Sequence, residues 1–561
     1  MNRRSTIRKL IILTPGLGML SACELGPNYV RPPLDVPSGY KEVMGWTPAT
    51  PREAAGWENW WAIYNDPILD ALEKQVDVSN QNLIAAEAAY RSARADVGIQ
   101  RAQLLPALDA SAGIRGAGSF AGSRGSGSGA TGSTGTGTGT GMTGTGTGTS
   151  GTGTGTTTGT GATGGRGSSS GGTFTYSAGL DASWDIDVWG RIRRATEATV
   201  ATAQASAADI AAARLSAQSQ LAVDYFQLRV ADLQTQLYTA AVADFQMALT
   251  IAQNRLQVGI STLADVYSAQ TQVDNAQAQL VGVQLTRDRM EHAIAALIGK
   301  TPIEVAIATA QLSEDVPVVP ADVPSTLLQR RPDVAAAEYA VESANAEIGV
   351  AEAAWFPDLT LTGSLGLVSN SLGSLFNASS TTWSFGPGLA QTVFNGGARI
   401  ATNLQAKARY DQAVANYRET VLTAFQQVED EIATLKILEE EAAAENRTVN
   451  DARQAEELTL NQYRAGTADF TTVITAQTVR FNAETTALNV LNGRLAGSVN
   501  FVMALGGGWD GTRVPKPGFF YTLPETTRND GPEKDAQSQT ETKNANSGGF
   551  FQRIFRTLNT P

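Results

Sequence analysis

The sequence predicts a mainly α-helical chain with a membrane β portion, built as two tandem repeats that together supply four β-strands and very long coiled-coil helices. Three observations predict it. Phe174 to Val188 alternates apolar and polar residues without a break, the mark of a strand. Val223, Phe226, Val230, Leu233 and Leu237, and later Val414, Tyr417, Val421, Ala424 and Val428, follow the spacing of a coiled-coil seam. Val258 to Gln270 resembles Ala465 to Gln477 at an offset of 466 − 259 = 207, which also carries Gly190 to Gly397 and Gly299 to Gly506.

Residues 1–22 read as an export signal: Arg3, Arg4, Arg8 and Lys9 precede an apolar run from Leu10 to Leu20. That run is too short to span a bilayer as a helix. Leu20-Ser21-Ala22-Cys23 resembles the bacterial lipobox, and Cys23 is the only cysteine in the chain. Cys23 is therefore expected as the mature N-terminus, carrying S-diacylglycerol and an N-acyl chain, because one chain alone anchors a protein only marginally. An ordinary secretory signal ending near a cysteine is the alternative. Glu24, and not the aspartate that signals inner-membrane retention, follows, so sorting to the outer membrane is expected. Residues 23–66 are then a lipid-anchored N-terminal segment.

The first repeat, 67–299, opens as helix and passes into strand at Pro106, as a helix-breaking residue should direct. Leu108, Ala110, Ala112 and Ile114 share one face of the first strand; Phe174, Tyr176, Ala178, Leu180, Ala182, Trp184, Ile186 and Val188 share one face of the second. Residues 116–173 between them are almost wholly Gly, Ser and Thr, which cannot bury an apolar core. They read as one long extracellular hairpin loop. Gly190 to Leu256 contains no proline and makes a helix of about 100 Å at 1.5 Å per residue. Residues 300–329 are a proline-spaced equatorial segment between the repeats. The second repeat, 330–508, carries strands at Asp358 to Val368 and about Thr382 to Val393. Upstream, Asn82, Glu87, Gly98 and Pro106 match Asp333, Glu338, Gly349 and Pro357 at an offset of 357 − 106 = 251. The two offsets differ by 44, so the Gly/Thr segment is an insertion within one repeat and not a domain boundary. The tail, 509–561, is polar and partly disordered by composition, most of all Glu525 to Gly549.

A net charge of −12 argues against nucleic acid as a partner. One histidine, His292, and one cysteine leave no zinc or redox-metal constellation. No phosphate-binding loop, nucleophile elbow or dinucleotide fingerprint is present, so an enzyme is not expected and no cofactor beyond the lipid on Cys23 is called for. A chain without transmembrane helices crosses a bilayer only as a β-barrel, and open strand edges are not tolerated in lipid. Four strands cannot close a barrel, two copies give a barrel filled by side chains, and three copies give twelve strands and a lumen.

The lipobox followed by "GPNYVRP" (Gly26 to Pro32), "WDIDVWGRIR" (Trp184 to Arg193), "LLQRRPDV" (Leu327 to Val334) and the paired glycine turns resemble the TolC-like outer membrane factor family, in its lipidated efflux branch related to OprM and NodT. The resemblance spans about Cys23 to Gly508; the long Gly/Thr loop departs from it. It implies a homotrimer whose twelve-stranded outer-membrane barrel continues into a periplasmic α-barrel. The trimer would be the exit duct of a tripartite, RND-type efflux system for small molecules, partnered by a periplasmic adaptor, an inner-membrane transporter and outer-membrane lipid. A type I protein-secretion duct shares the fold, and a coiled-coil surface stalk lipoprotein explains the heptads but not the paired strands.

The two glycine turns are the candidate functional site, as periplasmic tips and gate. Gly259 and Gly466 each follow a very long helix and suit its left-handed closure. Arg255 and Arg464 lie where a cation offsets exposed carbonyls. Leu263 and Phe470 are candidate adaptor contacts or packing residues behind the turn. Asp469 is an N-cap or, with Asp265 nearby, part of a carboxylate ring that favours cations at a constriction.

Overall fold

The computed structural model describes residues 24–34, 39–41, 53–117, 173–310, 312, 316–317, 330–509 and 514–521. The leader, Cys23, the Gly/Thr-rich segment from 118 to 172, most of the inter-repeat segment and the tail beyond 521 lie outside the described residues. The chain divides into a unit ending at Val514 and a second, Pro515–Pro561, in which Pro517–Tyr521 is a short 3-10 turn.

In chain order the first unit runs α1 (Pro67–Ser79), α2 (Gln81–Ala102), β1 (Ala107–Ala117), β2 (Thr173–Asp185), α3 (Arg191–Gln257), α4 (Leu263–Leu297), α5 (Pro332–Ala353), β3 (Asp358–Ser369), β4 (Thr381–Ala390), α6 (Ala398–Arg464) and α7 (Phe470–Ala504). The two repeats match to the residue. The long helices α3 and α6 have 67 residues each, and α4 and α7 have 35 each, at 398 − 191 = 470 − 263 = 207. Helices α2 and α5 have 22 residues each, at 332 − 81 = 251. Among the described residues no helix is long and apolar enough to cross a membrane.

The four strands form one antiparallel sheet in the order β1-β2-β3-β4. Its register keeps the alternation in phase across every strand. Ala110, Leu180, Leu365 and Trp383 form one row, and Leu108, Ala182, Gly363 and Phe385 the next. The other face carries Asp109, Asp181, Ser364 and Ser384. On the apolar face Leu108, Ile114, Trp383 and Leu389 are 69–77% exposed, a band that only lipid or a further chain would cover. Ala117 pairs with Thr173, so the ends of the Gly/Thr segment are direct neighbours at a hairpin tip. Strands β2 and β4 end earlier than the alternation predicts, at Asp185 and Ala390 rather than Val188 and Val393. The cause in β2 is Asp187. Its carboxylate accepts from the backbone N–H of Ile192 at 3.1 Å and of Arg193 at 3.0 Å, which starts α3 and pulls the chain off the sheet.

Helices α3 and α4 pack as one antiparallel hairpin, α6 and α7 as another, and α3 lies against α7. The predicted seam of α6 is buried: Tyr417, Val421, Ala424 and Val428 are 0–1% exposed. Repeat symmetry extends to the caps. Asn80 caps α2 and its Nδ2 donates to Leu297 O at 2.7 Å; Arg331, at 80 + 251, precedes α5 and its Nη1 donates to Ala504 O, at 297 + 207, at 3.2 Å. Different side chains thus tie each short helix to the end of its partner hairpin. A buried network secures the middle. Asp66 caps α1 and accepts from Tyr225 Oη at 2.5 Å; Arg229, fully buried, donates to Tyr225 Oη, Asp232 and Ala308 O; Arg287 joins Asp232 to Glu291 and Ile307 O.

The N-terminal segment is stapled just below the sheet. Arg194, 2% exposed, donates to Leu25 O and Asn28 Oδ1, and Asn345 donates to Pro27 O. Gly26 (φ +93°) lies so close to Gly349 that a Cβ on it would come within 2.4 Å of the Gly349 Cα. The "GPNYVRP" and "WDIDVWGRIR" stretches are therefore two halves of one joint. Trp189 stacks on Phe356 at 4.7 Å beside it, aromatic rings of the kind that sit at a membrane interface.

Glu73 is fully buried in α1, and neither carboxylate oxygen has a hydrogen bond among the described residues. Burial, helped by Asp77, pushes its carboxyl from the ordinary 4.5 up to about 9. A raised folded-state value contributes stability below pH 4.5 that is lost as pH rises toward 9, by about 1.4 kcal/mol per pH unit at most. Glu73→Gln should flatten the fall in thermal stability between pH 5 and 9, measured by melting the purified chain across that range; an equally steep fall in the variant would count against the assignment.

Candidate functional site at the hairpin tips

At the end of α3, Gly259 (φ +79°) closes the helix. Its N–H bonds Leu256 O at 3.0 Å and that of Ile260 bonds Arg255 O at 3.0 Å, a Schellman closure. The second tip repeats it with Gly466 (φ +79°), Gly466 N to Tyr463 O at 3.1 Å and Thr467 N to Gln462 O at 2.9 Å. Beyond the glycine and its chain neighbours, no described residue has an atom within 4 Å of a Cβ built on either glycine, so the backbone conformation is what demands it.

The next helices start by different means. Thr262 and Asp265 form a capping box: Thr262 N donates to Asp265 Oδ2 at 2.9 Å and Asp265 N to Thr262 Oγ1 at 3.3 Å, while Ser261 Oγ donates to Asp265 Oδ2 at 2.8 Å. Asp469 is an N-cap, accepting from Thr472 N at 3.0 Å and Thr472 Oγ1 at 2.6 Å. Both carboxyls are held below the ordinary range, Asp265 by the Thr262 backbone and the Ser261 hydroxyl, Asp469 by the Thr472 hydroxyl and backbone; the Asp265 charge opposes the latter weakly. Both are thus ionised caps.

Arg255 does more than offset its own helix. Its Nη2 reaches across to Tyr463 O at 2.7 Å, in the last turn of α6, and its guanidinium lies 3.8 Å from the Tyr463 ring centroid. One side chain thus joins both hairpins at their tips. Its position in the last turn announces only the local role; the partner is invisible to local spacing. Tyr463 packs on Phe470 at 5.5 Å. Arg464 is exposed and has no hydrogen bond or ion pair among the described residues.

Repeat-equivalent positions at the tips differ. Val258, Ile260, Leu263 and Tyr267 of the first tip are 54–69% exposed. Their counterparts at +207 are Ala465, Thr467, Phe470 and Ile474, of which Phe470 is 5% exposed. Of the two readings of Phe470, burial favours the packing residue behind the turn over the docking contact: it packs with Tyr463 and Val473 in the core of its tip. Leu263 remains presented to solvent.

Arg255→Ala removes a charge-assisted hydrogen bond and a cation–π contact, together about 2 kcal/mol. It should loosen the two tips and raise hydrogen exchange over residues 250–265 and 460–472 without lowering that of the sheet; unchanged tip exchange would refute the link. Gly466→Val should cost about 1–3 kcal/mol of local backbone strain, and Gly466→Asn less, read as the order of their melting temperatures.

The profile of the outer membrane efflux protein family matches residues 72–300 and 323–507. The chain is 28% identical over 505 residues to the probable efflux pump outer membrane protein TtgC of Pseudomonas putida, covering 90% of this chain and 96% of that protein. It is 27% identical over 495 residues to the cation efflux system protein CusC of Escherichia coli, covering 87% and 96%. The solved structure of the outer-membrane channel OprN superposes with a TM-score of 0.73 at 25% identity, covering 87% of this chain and all of that one. The family match covers both helical hairpins, both tip turns and all four strands, and the chain belongs to the outer membrane efflux protein family.

Proposed function

We propose that three copies of this chain close a twelve-stranded outer-membrane barrel continuous with a helical tube, and that this trimer is the exit duct of a tripartite efflux system for small molecules. The observation that carries the reading is the four-stranded sheet with an apolar outer face and two edges, β1 and β4, that pair with no other strand among the described residues. Unpaired backbone in lipid costs several kcal/mol per group, so the edges need partners, and three times four strands leave a lumen. The long helices carry the lumen about 100 Å away from the sheet. At that end the tips meet a periplasmic adaptor, which joins the duct to an inner-membrane transporter of the RND type. The exposed tip of the first hairpin, Leu263 foremost, is the docking surface. Three copies of Asp469 and Asp265, kept ionised as caps, form the carboxylate ring of the gate. Cys23 carries the lipid. Leu25 and Gly26, two and three residues on, are fixed beside Trp189 and Phe356, a position from which acyl chains enter the inner leaflet.

The closure test uses the β1 edge. Neighbouring residues of an edge strand point their N–H groups alternately outward, so one of Ala112→Pro and Gly113→Pro removes an outward donor. Native mass spectrometry of the parent should give three chains, with one of the two variants losing the trimer; a parent that is monomeric or dimeric would overturn the proposal. For the tips, Leu263→Asp should abolish efflux in cells while trimers still reach the outer membrane, and Asp469→Asn should reduce cation preference in single-channel recordings. Cys23→Ser should lose the lipid mass and leave the trimer intact.

A further inference from the structure

Helices α3, α6 and α7 enclose a groove of about 660 Å³, within the range of small-molecule sites. Its long axis follows α7 from Arg480 to Arg494, about 21 Å at the helical rise. Leu233 and Leu237 of α3 and Leu488 and Leu491 of α7 give the middle an apolar strip, and Gln236, Asn446 and Asn450 make the rest of the lining largely polar. Because α3 and α6 flank α7 within one chain, a single copy supplies all its walls.

The charged groups sit at the two ends. At the end nearer the tips, Arg453 Nε donates to Glu484 at 2.7 Å, and Arg480 is held by Asp244 at 2.6 Å and Glu456 at 2.9 Å. These guanidiniums are balanced by carboxylates. Arg494 at the opposite end is not. It lines the groove, is half-buried, and has neither a hydrogen bond nor an ion pair with any described residue. Drawing a guanidinium partly out of water beside leucines, with no counter-charge among the described residues, is unfavourable. An arriving anion relieves that, and the planar fork of arginine donors suits a carboxylate or sulfate.

We propose that this groove binds a medium-chain anionic amphiphile, its head group paired with Arg494 and its aliphatic chain lying along Leu491, Leu488, Leu237 and Leu233. A neutral molecule with the same chain keeps the apolar contacts and lacks the ion pair. The site lies between the first repeat (α3) and the second (α6, α7), so its occupant bridges the two hairpins. The inference is independent of the trimer and of the tip assignment.

The test is equilibrium dialysis of radiolabelled decanoate against the full-length protein in nanodiscs of neutral lipid, with uptake by empty nanodiscs subtracted. Saturable decanoate binding is expected, with decanol bound at least tenfold more weakly. Arg494→Gln should weaken decanoate at least tenfold while leaving decanol unchanged. Ala487→Trp, which fills the apolar middle, should abolish binding of both. Arg494 is partly exposed, so its substitution keeps the test decisive if the tryptophan variant misfolds. No saturable uptake above empty nanodiscs, equal binding of decanoate and decanol, or an Arg494→Gln variant that binds decanoate as the parent does would each overturn the proposal.

Discussion

Every other feature of this chain depends on one constraint: backbone N–H and C=O groups inside a bilayer must all be hydrogen-bonded. The sheet satisfies that internally for β2 and β3 and leaves one side each of β1 and β4 open. The apolar face in register across four strands makes those open sides a membrane problem rather than an aqueous one. Identical repeats follow naturally from this geometry. If each hairpin of strands is to feed a hairpin of helices on a common ring, the helices must be equally long, and 67 and 35 residues recur in both halves.

Much of this was legible in the sequence because it is periodic. A two-residue alternation reports a strand, a 3-4 spacing reports a helical seam, and an internal offset reports a repeat; each is a local signal repeated many times. The glycines at 190, 259, 299, 397, 466 and 506 were legible for a related reason, since their left-handed backbone excludes other residues and both repeats retain it. What stayed hidden were contacts that pair residues far apart in the chain without sharing a pattern. Arg255 reaches Tyr463 over 208 positions, and nothing near Arg255 announces it. Leu263 and Phe470 occupy equivalent positions and both are large and apolar, yet one is presented and the other buried, because Tyr463 gives Phe470 a surface to pack on. Asn80 and Arg331 perform the same tie with unlike side chains, so a comparison by residue type passes over them.

The N-terminal joint shows how a motif that reads as a string becomes an object. Gly26 and Gly349 are 323 residues apart; a Cβ on Gly26 would meet the Gly349 backbone, and one on Gly349 would meet Leu25 O and the Arg194 side chain. Arg194 lies between the two stretches and donates to carbonyls of the first. Fixing residues 25–28 at the junction of strand and helix sets where anything attached upstream of them can lie.

Because Ala117 pairs with Thr173, the connection between β1 and β2 leaves and rejoins the sheet at one point. Both strands enter the sheet in a register fixed by their own side chains, and that register is complete up to the pair that flanks the connection. Extending it costs little closure entropy, roughly 0.6 kcal/mol for each doubling. A peptide tag or a small folded domain spliced between these two positions therefore leaves the strand pairing as it is, provided its own ends lie about one strand spacing, roughly 5 Å, apart.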